Sequence, residues 1–404
     1  MKSLFACTLL VGAATASAAE PASLGDAVAQ GKFALTARLR YESVNQAGTA
    51  DARAFTLRTR LGFTTAAWQG FEVMLEGENT APLGRKDYYD GTGFNTAGRA
   101  TIADPEITQL NQAWVSFTEG KTKFTVGRQR LVLDNARFVG DVGWRQNMQT
   151  FDAAVLQDKS VDQLALTYAY LNRINRVFDN SGTQPDYHSR SHLFNASYAG
   201  FKPVTFTGYL HLLDFTNNLA AVRNSSTQTF GLSLTGASPL TTGTKLTYRA
   251  EFARQSGYGR SVLSYTADYY LLEAGVSCKT CGLAAGYEVL GSDHNQGFRT
   301  PLATLHAMNG WADVFLTTPA AGLNDFYLKA TAKLPGGADF AAFYHSFGTD
   351  RGPTFLGDEV DLFATYKVNK QFTLGAKYAS FRSAQSGAAF ASRDKIWLQV
   401  EFAY

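Results

Sequence analysis

After its first twenty residues this chain has no uninterrupted apolar run of 18 residues, so it carries no helix able to cross a bilayer. It also lacks an excess charge of either sign. Lys and Arg number 37 against 34 Asp and Glu, for a formal net charge of +3 over 404 residues. The basic residues are scattered, and that excludes a nucleic-acid footprint. Cysteine is nearly absent, with three in all. No GxSxG, phosphate-cradling glycine loop or HExxH occurs. His188 and His192 stand four apart, but in a loop and strand start, where helical metal-site spacing does not apply. No enzyme activity, cofactor or metal site is expected. Aromatic residues are abundant, with 29 Phe and 19 Tyr, and a disordered chain is excluded on that ground.

Residues 1–19 read as a cleaved secretory leader. Lys2 gives the positive start, Leu4 to Ala14 the apolar run, and Ala16-Ser17-Ala18-Ala19 the small residues at the cleavage site. Residues 20–404 are then one exported domain. It keeps Cys278 and Cys281, in Ser-Cys-Lys-Thr-Cys-Gly between two strand patterns. Exported proteins live where disulfides persist, and two cysteines flanking a two-residue turn sit within bonding reach. A structural disulfide is expected.

One pattern fills the rest of the chain. Apolar residues recur at every second position for 9 to 14 residues, and then the pattern breaks. Leu35, Ala37, Leu39 and Tyr41 alternate with Thr36, Arg38, Arg40 and Glu42; Val360, Leu362, Ala364 and Tyr366 repeat the rule far downstream. Period two means strands with one apolar face. Helical spacing does not persist anywhere. Short breaks such as Glu119-Gly120-Lys121 alternate with long ones at roughly 81–106, 132–148, 174–190, 214–227, 291–323 and 348–357. That sorting belongs to barrels with short periplasmic turns and long extracellular loops. The count is 18 strands, starting near 33, 53, 71, 107, 122, 149, 163, 191, 203, 228, 243, 263, 281, 324, 338, 358, 371 and 392. It requires 291–323 to be one loop, although Trp311 to Leu316 has strand character. The chain ends on alternating Ile396, Leu398, Val400, Phe402 and Tyr404, which resembles the C-terminal insertion signal of outer-membrane proteins. The expected fold is all-β: a single transmembrane antiparallel barrel in the outer membrane of a Gram-negative bacterium.

Lipid requires the apolar face to point outward, so the polar face lines the lumen. Arg38, Arg40, Arg58, Arg60, Arg249, Lys329, Lys367 and Lys377 fall on the inward parity, with Glu42, Glu72, Glu76, Glu78, Glu251, Glu288 and Asp361. About 18 strands leave room for an aqueous channel. The arginines of the first two strands gather on one side of the wall, with Glu76 and its neighbours beside them. They read as a region attractive to anions, or as a self-neutralising lining. Gly127-Arg128-Gln129-Arg130 breaks the alternation. Arg128 and Arg130 share parity with Phe124 and Val126, so either a bulge re-aims them or they reach the outer rim.

Three blocks resemble the alginate-export family of outer-membrane barrels. The first is Val126-Gly127-Arg128-Gln129-Arg130-Leu131, with Phe138-Val139-Gly140, Trp144-Arg145-Gln146 and Gln149-Thr150-Phe151-Asp152. The second runs from Thr300-Pro301-Leu302 to His306, with Gly310-Trp311-Ala312-Asp313 and Thr317 to Asp325. The third is Phe343-Tyr344-His345-Ser346-Phe347, with Gly357 to Asp361. The resemblance implies a monomeric 18-stranded barrel with a positive constriction for a uronate polymer. It marks Arg128, Arg130 and Arg145 as pore residues, and leaves Asp152 and Asp313 either bracing loops or touching solute. The expected partners are outer-membrane lipid and an anionic saccharide or other small solute. A periplasmic export partner stays open, and no nucleic acid is expected. Competing readings are a differently selective nutrient porin and a barrel used as receptor or scaffold.

Overall fold

The computed structural model describes residues 20–92, 98–178, 185–387 and 389–404. The leader of residues 1–19 lies outside them. Eighteen strands form one antiparallel sheet that closes on itself, because β1 (Lys32–Gln46) pairs with both β2 (Ala52–Thr64) and β18 (Arg393–Ala403). The strands between are β3 (Phe71–Pro82), β4 (Ile107–Glu119), β5 (Thr122–Gln129), β6 (Thr150–Asp158), β7 (Leu164–Asn175), β8 (Tyr187–Tyr198) and β9 (Val204–Leu213). Then come β10 (Thr227–Thr241), β11 (Thr244–Gly257), β12 (Thr266–Ser277), β13 (Cys281–Leu290), β14 (Leu323–Lys333), β15 (Asp339–Gly348), β16 (Phe355–Lys367) and β17 (Phe372–Ser383). The largest departure from the expected starts is β8, which begins at Tyr187 rather than 191. Closure pairs every strand on both sides, so no backbone edge meets hydrocarbon.

The alternation becomes two faces. Leu61, Leu272 and Leu283 stand exposed on the outer surface, as contact with acyl chains requires. Phenylalanine pairs 33/63, 71/117 and 372/402, with centroids 4.7, 4.8 and 5.2 Å apart, form part of an aromatic girdle at the rim holding both termini. That rim also carries the short turns, which makes it periplasmic. One of these turns holds the bonded Cys278 and Cys281, whose Cα atoms are 5.1 Å apart. One expectation is corrected: a six-residue helix, α1 (Leu24–Ala29), precedes β1, and Ser23 Oγ caps it by accepting from the Asp26 amide at 3.1 Å. It is too short to leave a clear period in sequence.

The long connections gather at the opposite, outer rim. The second (L2, 83–106), third (L3, 130–149) and seventh (L7, 291–322) decide what the lumen contains. L3 and L7 fold inward and bond to each other. Gly140 N donates to Leu302 O at 2.8 Å, and Thr304 N donates to Ala136 O at 3.0 Å. The possible strand at Trp311–Leu316 is irregular chain within L7, so the 18-strand count stands.

Candidate pore constriction

Arg38 and Arg40 of β1 face inward beside Arg58 and Arg60 of β2. The register sets Arg38 directly opposite Arg58. Like charges opposed across a strand pair repel, so this placement needs compensation. Arg38 receives it. Its Nε lies 2.7 Å from Glu401 of β18, and its Nη1 donates to the carbonyls of Gly143, Trp144 and Arg145 at 3.3, 3.0 and 3.3 Å. Arg60 pairs with Glu78 and donates to Gln146 O at 3.4 Å. Arg40 is fully buried; it donates to Gln399 Oε1 at 2.7 Å and lies 4.3 Å from the Trp144 ring centroid. Arg58 differs from the other three. It is 5% exposed, yet no carboxylate among the described residues lies within ion-pair distance, and its Nε has no hydrogen-bond partner.

L3 sits against this wall through Gln146, which donates to Thr56 Oγ1 at 2.9 Å and accepts from no described donor at Oε1. Arg145 then ties three elements together. It reaches Glu42 of β1 at 3.0 Å, Asp313 of L7 at 2.8 Å and Asp104 of L2 at 3.8 Å. Burial alone would lower its pKa, but Glu42, Asp104 and Asp313 outweigh burial and raise it. Asp313 also takes Lys395 at 2.6 Å and His306 Nδ1 at 2.7 Å. Burial pushes that carboxyl up; His306, Lys395 and Arg145 outweigh it and hold the group well below the usual range. Lys377 Nζ lies 2.7 Å from His306 Nε2. An ammonium only donates, so Nε2 accepts and the proton sits on Nδ1, facing Asp313. Burial, helped by Lys377, pushes His306 down to about 3, which keeps it neutral. Its ring stacks on Trp144 at 5.0 Å.

A second stretch of the wall, on β13, β14 and β16, is acidic, and L7 covers it. Ala312 N donates to Glu359 at 2.6 Å, and Trp311 N donates to Asp361 at 3.1 Å. Asn309 Nδ2 donates to Glu288 at 2.6 Å and to Asp325 at 3.0 Å. Arg137 of L3 pairs with Glu288 at 2.9 Å. Phe138 inserts between Tyr209, Tyr269 and Phe298, with centroids 5.4, 5.3 and 6.0 Å away. Its partly buried ring contributes less than the about 1.5–3 kcal/mol of full burial and still pins L3 at this end, as the partly buried Trp144 does at the other.

The structure therefore brings Arg38, Arg40, Arg58 and Arg60 together on one stretch of the inner wall, with Arg145 of L3 beside them. Glu76 lies beside it on β3, accepting from Asn111 at 2.6 Å and Gln112 at 3.0 Å. Arg249 stands apart on the acidic side, 2.5 Å from Glu251, and Lys329 lies 5.5 Å from the Phe343 ring. Arg130 leaves the end of β5 and pairs with Asp141 of L3. Arg128 requires a correction. Gly127, at φ +124°, fits where a Cβ would collide with the Ala113 carbonyl, and Gln129 continues the inward face. Arg128 stays with Val126 on the outward face and pairs with Asp152 at 2.8 Å. It does not line the lumen. Arg40 and Arg145 are buried and held by fixed partners, Gln399 for the first and Glu42 with Asp313 for the second. Sequence reasoning missed Asp104, Gln146, His306 and Lys395. Of these, only the inward parity of Lys395 is visible without the loop contacts.

The chain matches the model for alginate export over residues 30–288. No curated protein matches it in sequence. Among solved structures, it resembles OccAB2 of Acinetobacter baumannii at 14% identity, covering 94% of this chain and 98% of that one, with a TM-score of 0.74. It resembles OpdK of Pseudomonas aeruginosa, solved with vanillate, at 13% identity, 93% and 99% coverage and a TM-score of 0.73. OccD3 (OpdP) of Pseudomonas aeruginosa gives 16% identity, 93% and 92% coverage and a TM-score of 0.71. At these identities the likeness is one of fold. Taken with the family match over most of its length, it makes this chain an outer-membrane β-barrel channel of the alginate export family.

Proposed function

We propose that the channel selects anionic solutes and that a carboxylate of the solute engages Arg58 on its way past the arginine wall. The observation that carries this is that no carboxylate among the described residues lies within ion-pair distance of Arg58, while Arg38, Arg40 and Arg60 each have one. A buried guanidinium without a partner is costly, and a carboxylate offers it a two-pronged, charge-assisted hydrogen bond. The closed ring leaves no strand edge in need of a second chain, which favours a working monomer.

Acidic saccharides fit this chemistry because each uronate unit carries one carboxylate. A second reading, small aromatic or aliphatic carboxylates, is favoured by the packing. Arg38, Arg58 and Arg60 are each under one-tenth exposed, and L3 packs on Arg38 and Arg60, which favours a small solute over a polymer. OpdK, of similar fold, is known with vanillate. Purified protein in a planar bilayer is titrated with galacturonate, oligogalacturonate and vanillate. Concentration-dependent block by the uronates is expected. Block by vanillate alone favours the second reading, and open channels blocked by none of the three contradict both.

A further inference from the structure

The turn between β12 and β13 holds Cys278 and Cys281 at the periplasmic rim, with only Lys279 and Thr280 between them. The backbone closes this turn without help from sulfur. Cys278 N donates to Cys281 O at 2.7 Å, Lys333 N of β14 donates to Thr280 O at 2.8 Å, and Ser277 pairs with Gly282 where the strands begin. A disulfide stabilises chiefly by restricting the unfolded chain, and more so the longer the loop it closes. This one closes a very short loop. The sulfurs therefore add little that the hydrogen bonds do not already supply.

The surroundings of the pair suit exchange instead. Cys281 is exposed and Cys278 half-buried, so an incoming group meets Cys281 first. Thr280 N donates to Cys278 Sγ at 3.3 Å. A disulfide sulfur is a weak acceptor and a thiolate a strong one, so this bond tightens when Cys278 is released as an anion. Charge acts in the same direction. Lys279 lies inside the turn, Lys245 is the cross-strand partner of Ser277, and Lys333 follows Ala332, the partner of Cys281. The four turns from β10/β11 to β16/β17, with the strand ends beside them, carry Lys245, Lys279, Lys333, Lys367 and Lys370 against one acid, Asp339, which Lys333 holds at 2.6 Å. The other half of the rim mixes its lysines with acids, among them Glu119, Asp158 and Asp162. A cysteine among cations forms its thiolate more readily, and the disulfide sits in the basic half.

We infer that Cys278 and Cys281 form a redox site that exchanges with a dithiol on the periplasmic side, a function separate from solute passage. A thiolate of the dithiol attacks Cys281 Sγ and forms a mixed disulfide. The Cys278–Cys281 bond breaks as this happens, and its electron pair leaves on Cys278 Sγ, where the Thr280 amide receives it. The second thiolate of the dithiol then attacks its own partner sulfur in the mixed disulfide and frees Cys281. The dithiol ends as a disulfide and the barrel as two thiols, with two electrons and two protons passed between them. A leaving thiol of lowered pKa departs faster, so the basic setting speeds the first step.

The test uses the full barrel in lipid nanodiscs, held oxidised and then mixed with dithiothreitol. Free thiols are followed over time by alkylation and mass spectrometry, and a parallel run with glutathione is quenched in acid to locate the mixed disulfide. Wild type should be reduced fully, with glutathione found on Cys281. Lys279→Gln should slow reduction about threefold, and Lys279→Gln with Lys245→Gln about tenfold, at the usual worth of exposed charges. Lys279→Arg should react as wild type does. Lys159→Gln, on the other half of the rim, should leave the rate unchanged, and added salt should slow wild type toward the double variant. Equal rates in wild type and the double variant would overturn the inference. So would a pair that stays oxidised in excess dithiothreitol, or glutathione found chiefly on Cys278.

Discussion

The arginine wall and the acid wall of the lumen are solved in opposite ways. On the arginine wall L3 offers carbonyl oxygens: three converge on Arg38 and one reaches Arg60. On the acid wall L7 offers amide hydrogens, from Ala312 to Glu359 and from Trp311 to Asp361. Each loop turns the backbone pole that its wall requires. Backbone dipoles satisfy a charge without cancelling it, so both walls keep their sign. The walls differ in completeness. Glu288 and Asp325 are each met by more than one donor, whereas Arg58 has no ion pair among the described residues and its Nε no hydrogen-bond partner. Among the described residues each wall keeps unpartnered atoms, Arg58 Nε on one and Glu359 Oε2 with Asp361 Oδ1 on the other, so an anion is drawn to the first and a cation to the second.

The largest expected effect comes from cutting the tie between the walls. Arg145→Ala removes the guanidinium shared by Glu42, Asp104 and Asp313, leaving Lys395 alone to meet Glu42 and Asp313 as a cation, and should cost up to about 3–5 kcal/mol in loop docking, as loss of one member of a buried ion network does. Raised conductance and faster proteolysis of L3 are the readouts; unchanged values would mean that the loops dock independently. Next is the arginine wall itself. Arg58→Gln should weaken block by a uronate about tenfold to a hundredfold, from loss of a charge-assisted hydrogen bond. Glu288→Gln, at a carboxylate already met by Arg137 and Asn309, should change it far less, and equal effects would break the contrast.

Acid should act through His306. Its pKa in the folded chain, about 3, lies below its ordinary 6.5. The unfolded or undocked loop takes up a proton that the docked loop refuses. Docking of L7 is therefore fully stabilised above about 6.5 and weakens as pH falls from there toward 3. Current noise should rise over that window, and His306→Asn should flatten the response. The smallest effect is expected at the periplasmic turn. Cys278→Ser with Cys281→Ser lies far from L3 and L7 and should leave ion preference unchanged, as measured by reversal potential.

The strands were legible because each one carries its own period. Arg38, Arg40, Arg58 and Arg60 show their inward parity within a few residues of sequence, and lipid outside fixes which face is which. Parity also marked Arg128 as sharing a face with Val126, and the structure keeps it there. The family motif drew attention to that residue without saying on which side of the wall it stands. The loops were not legible in this way. The bonds of Gln146 to Asp104, of Arg145 to Asp313 and of Lys395 to Asp313 span dozens to over a hundred residues. No local period encodes such contacts. That L3 carries carbonyls to one wall and L7 carries amides to the other depends on the closed barrel bringing both loops into one lumen.

Arg58, the one arginine of the wall without an ion pair among the described residues, biases the pore toward anions. The most direct measurement is the reversal potential of wild type and Arg58→Gln in a planar bilayer under a salt gradient. The account predicts a potential of the anion-preferring sign in wild type that moves toward zero in the variant, with conductance retained. A wild-type potential of cation-preferring sign, or one that Arg58→Gln leaves unmoved, would contradict it.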